Sequence, residues 1–181
     1  MRIRAKLVLS CILSCASITS IWAQQQPVQA VDTREQPKYV EISPRLGAGG
    51  QPTDDGFRTL AEKGYQAVIN LRMDSEKYDA AAEQKLVVSL GMKYLNIPVP
   101  GRSPKEEQAV EFLKTMDDLK DQKVFIHCAA GVRAGSFVLI DLVLKEGMDL
   151  DKAEEIATRV GLTSEILLQF ARQVIEHQKG K

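Results

Sequence analysis

The sequence has no excess of charge, no long charged block and no internal repeat. Its 24 basic residues balance 24 acidic ones among 181 residues. The missing charge block argues against a nucleic-acid-binding tail. Its length and its 44% hydrophobic content predict one globular domain rather than a fibrous or disordered chain.

The first 23 residues contain no acidic side chain. Arg2, Arg4 and Lys6 precede a mostly apolar stretch, and a polar run of glutamines begins after Ala23. This pattern is typical of a secretory signal cleaved after Ala23. We therefore predict a signal peptide over 1–23 and a periplasmic or secreted protein, with no membrane association beyond the export signal.

Cysteine is scarce, with three in the chain. Cleavage would remove Cys11 and Cys15 and leave Cys128 without a disulfide partner in its own chain. Two alternatives stay open for the N-terminus: an uncleaved anchor, for which the apolar stretch is short, and lipidation at Cys11 or Cys15. A lone cysteine is either an inert core residue or a reactive thiol.

Residues 24–38 are rich in glutamine, proline and charge, which predicts a flexible linker before a domain over 39–178. Within that domain apolar runs alternate with helical patterns. The predicted strands are 39–42, 67–71, 93–97 and 124–126. The predicted helices are 54–63, 79–90, one opening at Pro104, 135–145, 151–160 and 164–178. Alternation of this kind predicts an α/β fold with a central, mostly parallel sheet of four to five strands flanked by helices.

Glycine and proline crowd residues 43–53, which we predict to be a loop. A phosphate cradle is the alternative for this loop, but no P-loop lysine follows it.

The segment His-Cys-Ala-Ala-Gly-Val-Arg-Ala-Gly follows the last predicted strand. A loop between a strand and a helix presents unpartnered N–H groups that can converge on an anion. These groups and the positive helix end favour the thiolate of Cys128, and Arg133 can grip an oxyanion with its planar fork. We predict an anion-binding loop that His127 supports from a buried position. The residues whose backbone forms this loop are Ala129, Ala130, Gly131, Val132 and Ala134.

The segment 124–135 resembles the signature of cysteine-dependent protein tyrosine and dual-specificity phosphatases. Residues 40–160 as a whole are similar to the bacterial phosphatase-like domain of beta-lactamase-hydrolase-like proteins, with the segments 47–72 and 94–100 in the same order. The resemblance implies a cysteine-phosphatase-like fold. It also implies that Cys128 is a nucleophile that forms a cysteinyl-phosphate and that Arg133 and the loop amides bind the phosphate oxygens. The implied substrate is a phosphorylated protein or small molecule, and the resemblance implies no metal or organic cofactor.

The spacing of the motif departs from that of tyrosine phosphatases. Four residues separate Cys128 from Arg133, where tyrosine phosphatases have five; rhodanese-type sulfurtransferases share the shorter spacing. Ala134 replaces the hydroxyl residue that normally follows the arginine and helps the thiolate to leave. Ser136 stands two positions further on.

No Asp occupies the loop at 98–107, where the family carries its general acid. Glu106 and its neighbour Glu107 are candidates there, although acidic residues are common in a first helical turn. Asp74 and Glu76, after the strand at 67–71, are the other candidates.

Arg72 ends the strand at 67–71, on the sheet edge that carries the cysteine loop, because the carboxyl ends of parallel strands meet there. We predict a second positive contact to the substrate, with a solvated arginine as the alternative. The leading hypothesis is an exported phosphatase for phosphate monoesters, including phosphotyrosine or phosphoserine proteins. A sulfurtransferase that carries a persulfide on Cys128 and a non-catalytic anion-binding module are the alternatives.

Overall fold

The computed structural model describes residues 39–180. The predicted signal peptide (1–23) and linker (24–38) lie outside the described residues and remain predictions. Among residues 39–180, no helix combines the length and apolar composition needed to cross a bilayer.

The described chain folds into five strands and six helices. The strands are β1 (Tyr39–Ser43), β2 (Leu46–Gly49), β3 (Ala67–Asn70), β4 (Lys93–Asn96) and β5 (Val124–His127). The helices are α1 (Asp54–Glu62), α2 (Ala80–Ser89), α3 (Glu106–Asp118), α4 (Val132–Leu144), α5 (Leu150–Val160) and α6 (Glu165–Lys179).

The strands form one sheet in the order β1-β2-β5-β3-β4. Strand β1 is antiparallel to β2, and the other neighbours are parallel. The mostly parallel α/β sheet predicted from the alternation of patterns is therefore confirmed. In the central register Asn70 and Gly49 flank His127, so the carboxyl ends of β2, β3 and β5 meet at one edge.

Strand β2 corrects the prediction of a loop over residues 43–53. Its four residues, Leu-Gly-Ala-Gly, are all buried, yet three of them are small and carry no strand signal. Gly47 shows why they must be small, because a Cβ there would collide with the Tyr65 hydroxyl. The strand is specified by its neighbours in the sheet rather than by its own propensity.

Apolar cores cover both faces of the sheet. Phe57, Leu60 and Val87 of α1 and α2 pack with Val68 and Phe125 on one face. The larger core joins the other face to helices α3 to α6. Successive strand residues point to opposite faces, so His127 shares the α1/α2 face with Phe125, whereas Cys128 belongs to the larger core.

Helix α4 begins at Val132, three residues before the predicted start at 135. Gly131 is its N-cap and has a left-handed φ of 86°, which turns the chain directly from the loop into the helix. Val132, Arg133 and Ala134, which were predicted as loop residues, therefore lie in the first helical turn.

Candidate active site

The loop after β5 places Cys128 beneath the N-terminus of α4. Its side chain is buried, and its backbone N–H donates to the Gly49 carbonyl at 3.4 Å. Gln51 N–H donates to the Ala129 carbonyl at 3.1 Å, so the chain leaving β2 braces the outer side of the loop. Ala129 and Ala130 are exposed at the mouth. The first-turn N–H groups of α4 have no partner within the helix and favour an anion above Cys128.

The end of helix α5 supports the loop from behind. A Cβ at Gly131 would strike the Val160 carbonyl oxygen, and one at Gly135 would lie 2.7 Å from the Ala157 carbonyl oxygen. Gly161 has a φ of 138°, and a Cβ there would lie 3.0 Å from the Ala130 carbonyl oxygen. The small residues of the motif thus serve backbone packing against α5 as well as the curvature of the loop.

Arg133 is anchored through one edge of its guanidinium group. Nη1 donates to the carbonyl oxygens of Leu71 (3.1 Å) and Val99 (3.0 Å). The Nη1/Nη2 edge also grips Glu76, at 2.5 Å to Oε1 and 2.9 Å to Oε2. Within residues 39–180, no carboxylate or carbonyl accepts from the other edge, formed by Nε and the second Nη2 hydrogen. This edge has the fork geometry that binds an oxyanion in bidentate fashion.

The charge of Arg133 is secured by its neighbours. Burial alone would lower the pKa of its guanidinium, but the hydrogen bond to Glu76 and the charge on Cys128 outweigh burial and raise the pKa. Arg133 therefore stays cationic beside the sulfur that is predicted to react.

Glu76 joins the two arginines of the site. Besides Arg133, its Oε2 accepts from Arg72 Nε at 3.1 Å, and its Oε1 accepts from the Met73 N–H at 2.8 Å. The hydrogen bond from Arg133 is the main cause that lowers the pKa of Glu76 to about 2, against the opposing effect of burial. Glu76 is thus a fixed carboxylate across the working pH range and cannot donate a proton to a leaving group.

Arg72 lies at the predicted edge but faces Glu76 and Gln51. Nη1 donates to Gln51 Oε1 at 2.7 Å, and the guanidinium carbon lies 3.9 Å from the centre of the Tyr78 ring. The side chain is 10% exposed. These contacts make Arg72 a support for Glu76, and through Glu76 for Arg133; its contact to the substrate remains a prediction.

His127 is fully buried and opens onto a polar cluster below the loop. Its Nε2 lies 3.3 Å from Glu83 Oε1, and the rings of Phe57 and Phe125 pack against it. Glu83 in turn accepts from Asn70 Nδ2 (2.9 Å) and from Tyr94 Oη (2.8 Å). His127 is therefore buried below the cysteine loop; its role as a support for that loop remains a prediction.

The remaining candidates for proton transfer, Glu106, Asp74 and Ser136, make none of the contacts to Arg133 that Glu76 makes. Glu106 accepts from Gln178 Nε2 at 2.7 Å and pairs with His177 at 2.8 Å, both at the end of α6. Asp74 is exposed on the loop after β3. The Ser136 hydroxyl donates to the Leu167 carbonyl at 2.8 Å. This hydrogen bond connects α4 to α6 and does not contact the cysteine loop. Their part in proton transfer stays a prediction, and no metal-binding cluster of His, Cys, Asp or Glu occurs in the part of the chain described.

Two residues of this site, Glu83 and Gln51, did not emerge from the sequence as candidates. Glu83 stands four residues before the buried Val87, on the same face of α2. A charged residue on an apolar helix face is the signal that could have indicated a buried partner. Gln51 carried no such signal, because its contacts depend on β2, which the glycine content concealed.

Comparison with known proteins identifies the family. Residues 17–172 match the family model described as DSP-PTPase phosphatase fused to NAD+ kinase. The chain belongs to this family. It is accordingly a cysteine-dependent, phosphatase-like hydrolase, and the family resemblance seen in the motif segments is confirmed.

Named relatives share the phosphatase-like segment. The beta-lactamase hydrolase-like protein of Xylella fastidiosa is 33% identical over 120 residues, covering 65% of this chain and 28% of that protein. The chloroplastic NAD kinase 2 of Arabidopsis thaliana is 28% identical over 118 residues, covering 62% of this chain and 12% of that protein. The chain thus spans less than a third of the length of these curated relatives.

Solved structures share the fold. The DUF442 protein of Shewanella putrefaciens superimposes with a TM-score of 0.68 at 30% identity, covering 79% of this chain and 94% of that chain. The active form of Tk-PTP superimposes with a TM-score of 0.66 at 22% identity, covering 77% and 97%.

Proposed function

We propose that this protein is an exported phosphatase that hydrolyses phosphate monoesters through a cysteinyl-phosphate on Cys128. The observation that carries the proposal is that Glu76 holds one edge of Arg133, while the guanidinium interacts with Cys128 and its other edge has no carboxylate or carbonyl acceptor among residues 39–180. Export rests on the N-terminal sequence pattern alone.

The chemistry would run in two displacements. The Cys128 thiolate attacks phosphorus, an S–P bond forms, and the P–O bond to the leaving group breaks. Water then attacks phosphorus, the S–P bond breaks, and inorganic phosphate and the thiolate are released. Arg133 and the first-turn amides of α4 hold the non-bridging oxygens in both steps.

The leaving group sets the expected substrate class. Because Glu76 stays ionised, it cannot protonate the departing oxygen, and acid catalysis contributes about 10²–10⁴-fold where it operates. We therefore expect esters with good leaving groups, such as aryl phosphates and phosphotyrosine, to be hydrolysed faster than alkyl esters such as phosphoserine.

The experiment is hydrolysis of a series of aryl phosphates by the reduced protein, beside Cys128→Ser. Phosphate release that depends on Cys128 and rises steeply as the leaving-group pKa falls would support the proposal. Peptides carrying phosphotyrosine or phosphoserine would then rank the natural esters.

Sulfur transfer is the second candidate, because four residues separate Cys128 from Arg133 and rhodanese-type enzymes share that spacing. Transfer of sulfane sulfur from thiosulfate to cyanide, lost in Cys128→Ser, with no phosphate release, would favour it over the phosphatase. Binding of vanadate with neither activity would favour an anion-binding module.

A further inference from the structure

Gln51, the second residue after β2, connects the cysteine loop to the charged loop that follows β3. Its backbone N–H donates to the Ala129 carbonyl at 3.1 Å, and the neighbouring Gly50 pairs with Ala130. Its side-chain Oε1 accepts from Arg72 Nη1 at 2.7 Å. One residue therefore contacts the cysteine loop through its main chain and the loop after β3 through its side chain.

The side-chain amide of Gln51 is used at both ends. Because arginine has no acceptor, the atom that faces Arg72 is the amide oxygen. The amide nitrogen then donates to Glu83 Oε2 and, at 3.4 Å, to the Pro52 carbonyl. A carboxylate could only accept and an ammonium could only donate, so this pair of contacts requires a neutral side chain such as an amide.

The contact with Gln51 ties Arg72 to a separate part of the fold. Nε of Arg72 donates to Glu76 Oε2 at 3.1 Å, and Nη2 donates to the Lys77 carbonyl at 3.5 Å. The guanidinium carbon lies 3.9 Å from the centre of the Tyr78 ring. These partners all lie in the loop that Arg72 itself begins. Among residues 39–180, Gln51 alone provides the Arg72 side chain with a hydrogen bond to another part of the chain.

The contacts close a circuit around the predicted anion site. Gln51 holds Arg72, and Arg72 holds Glu76. Glu76 in turn grips one edge of Arg133. Arg133 lies in the first turn of α4, directly after the cysteine loop that Gln51 braces from outside. The loop and its arginine are therefore aligned with each other through Gln51.

We propose that Gln51 is a positioning residue: its side-chain amide holds Arg72 against Glu76, so that Glu76 keeps the other edge of Arg133 aligned with the cysteine loop. The inference rests on the proposed function only in taking Arg133 as the arginine that binds the anion. The role requires no contact between Gln51 and the bound anion.

The first test measures anion affinity without turnover. The dissociation constant of vanadate is compared among the wild type, Gln51→Met, Arg72→Met and the double variant. Methionine keeps the length of glutamine but has no amide, and the backbone N–H that binds Ala129 is unchanged. Gln169→Met removes an exposed amide on α6, and Glu62→Gln is an exposed change at the end of α1. Both are controls and should match the wild type.

The circuit predicts how the losses combine. We expect Gln51→Met to weaken vanadate binding by about three- to tenfold, because it removes a hydrogen bond to a charged group and part of that loss reaches Arg133. Arg72→Met should weaken binding at least as much. The two losses should not multiply in the double variant, since Gln51 acts through Arg72. Losses that multiply would overturn the inference, and so would a Gln51→Met variant that is less stable but binds vanadate as the wild type does.

A second measurement observes the arginines themselves and covers the case in which a variant fails to fold. NMR of ¹⁵N-labelled guanidinium groups reports rotation about the Nε–Cζ bond, with Arg72→Met giving the assignment of Arg72. We expect slow rotation of Arg72 and Arg133 in the wild type and faster rotation of Arg133 in Gln51→Met. A freely rotating Arg72 in the wild type, or an Arg133 unaffected by Gln51→Met, would overturn the inference.

The two readouts separate this inference from the proposed function. Neither requires phosphatase activity, so a failed phosphatase assay leaves both in force. If the wild type binds no vanadate, the proposed function fails, and the rotation of the Arg72 and Arg133 guanidinium groups still decides whether Gln51 positions them.

Discussion

Replacing Glu76 by glutamine tests how the anion-binding edge of Arg133 is held. Glutamine keeps the size of the side chain but removes the charge that pairs with Arg133 and Arg72. The amide has one oxygen to accept hydrogen bonds in place of two. The bidentate grip on Arg133 is therefore lost, although Leu71 and Val99 still accept from its Nη1.

The size of the effect follows from the pKa of Glu76. The pKa falls from 4.5 to about 2 in the folded protein, and each tenfold change in acidity corresponds to about 1.4 kcal/mol. The interactions of the carboxylate are thus worth about 3 kcal/mol, reduced somewhat because the side chain is 25% exposed. We expect Glu76→Gln to lower the free energy of unfolding by about 2 kcal/mol at pH 7.

The pH dependence has a definite sign. A carboxyl whose folded pKa lies below its unfolded value stabilises the fold above the unfolded pKa, and this contribution disappears as pH falls through the folded pKa. The stability gap between wild type and Glu76→Gln should therefore be constant from pH 8 to about 5. It should shrink below about 4.5 and nearly vanish near pH 2. Urea unfolding at several pH values measures it.

We expect Glu76→Gln to lower catalytic activity as well as stability. If about half of the coupling, about 1.5 kcal/mol, orients Arg133, kcat/KM falls by about tenfold, since about 1.4 kcal/mol is a factor of ten. Vanadate affinity should fall in parallel, with Glu62→Gln as the unchanged control. Equal or tighter vanadate binding by Glu76→Gln would refute the reasoning, because Glu76 would then compete with the anion instead of presenting Arg133.

Further changes test the loop, the core and the acid. Gly131→Ala introduces a Cβ at φ of 86° against the Val160 carbonyl, so we expect a loss of about 1–3 kcal/mol in thermal unfolding and loss of turnover. Burial raises the pKa of Asp141 to about 6 from 3.8; its charge destabilises the fold above pH 6, and this cost disappears toward pH 4. Asp141→Asn should therefore add about 1–2 kcal/mol at pH 7.5 and nothing at pH 4, and a gain at both pH values would contradict this reading. Asp74→Asn should leave aryl phosphate turnover within about twofold if the exposed carboxyl is no general acid; a tenfold loss confined to poor leaving groups would assign it that role.

Much of the architecture could be predicted from short-range patterns. The apolar runs that became β3, β4 and β5 alternate with helical patterns, and that alternation is sufficient for a mostly parallel sheet. The motif around Cys128 could be placed because a strand end, small residues and an arginine follow one another within ten positions.

Features that depend on distant contacts could not be predicted. Strand β2 consists largely of glycine and alanine, and it forms by pairing with β1 and β5, while the Tyr65 side chain leaves no room for a larger residue at Gly47. Glu76 was a candidate acid by its position after β3, but its bond to Arg133 joins residues 57 positions apart. That contact turns an apparent proton donor into a permanent anion.

The most direct test of the central claim is to trap the covalent intermediate. The protein is mixed with an aryl phosphate, quenched in acid within the first turnover, digested and examined by mass spectrometry. We predict one phosphoryl group on the peptide containing Cys128, absent from Cys128→Ser and from protein quenched before substrate is added. Phosphate release with an unmodified Cys128 peptide, or turnover retained in Cys128→Ser, would contradict the account.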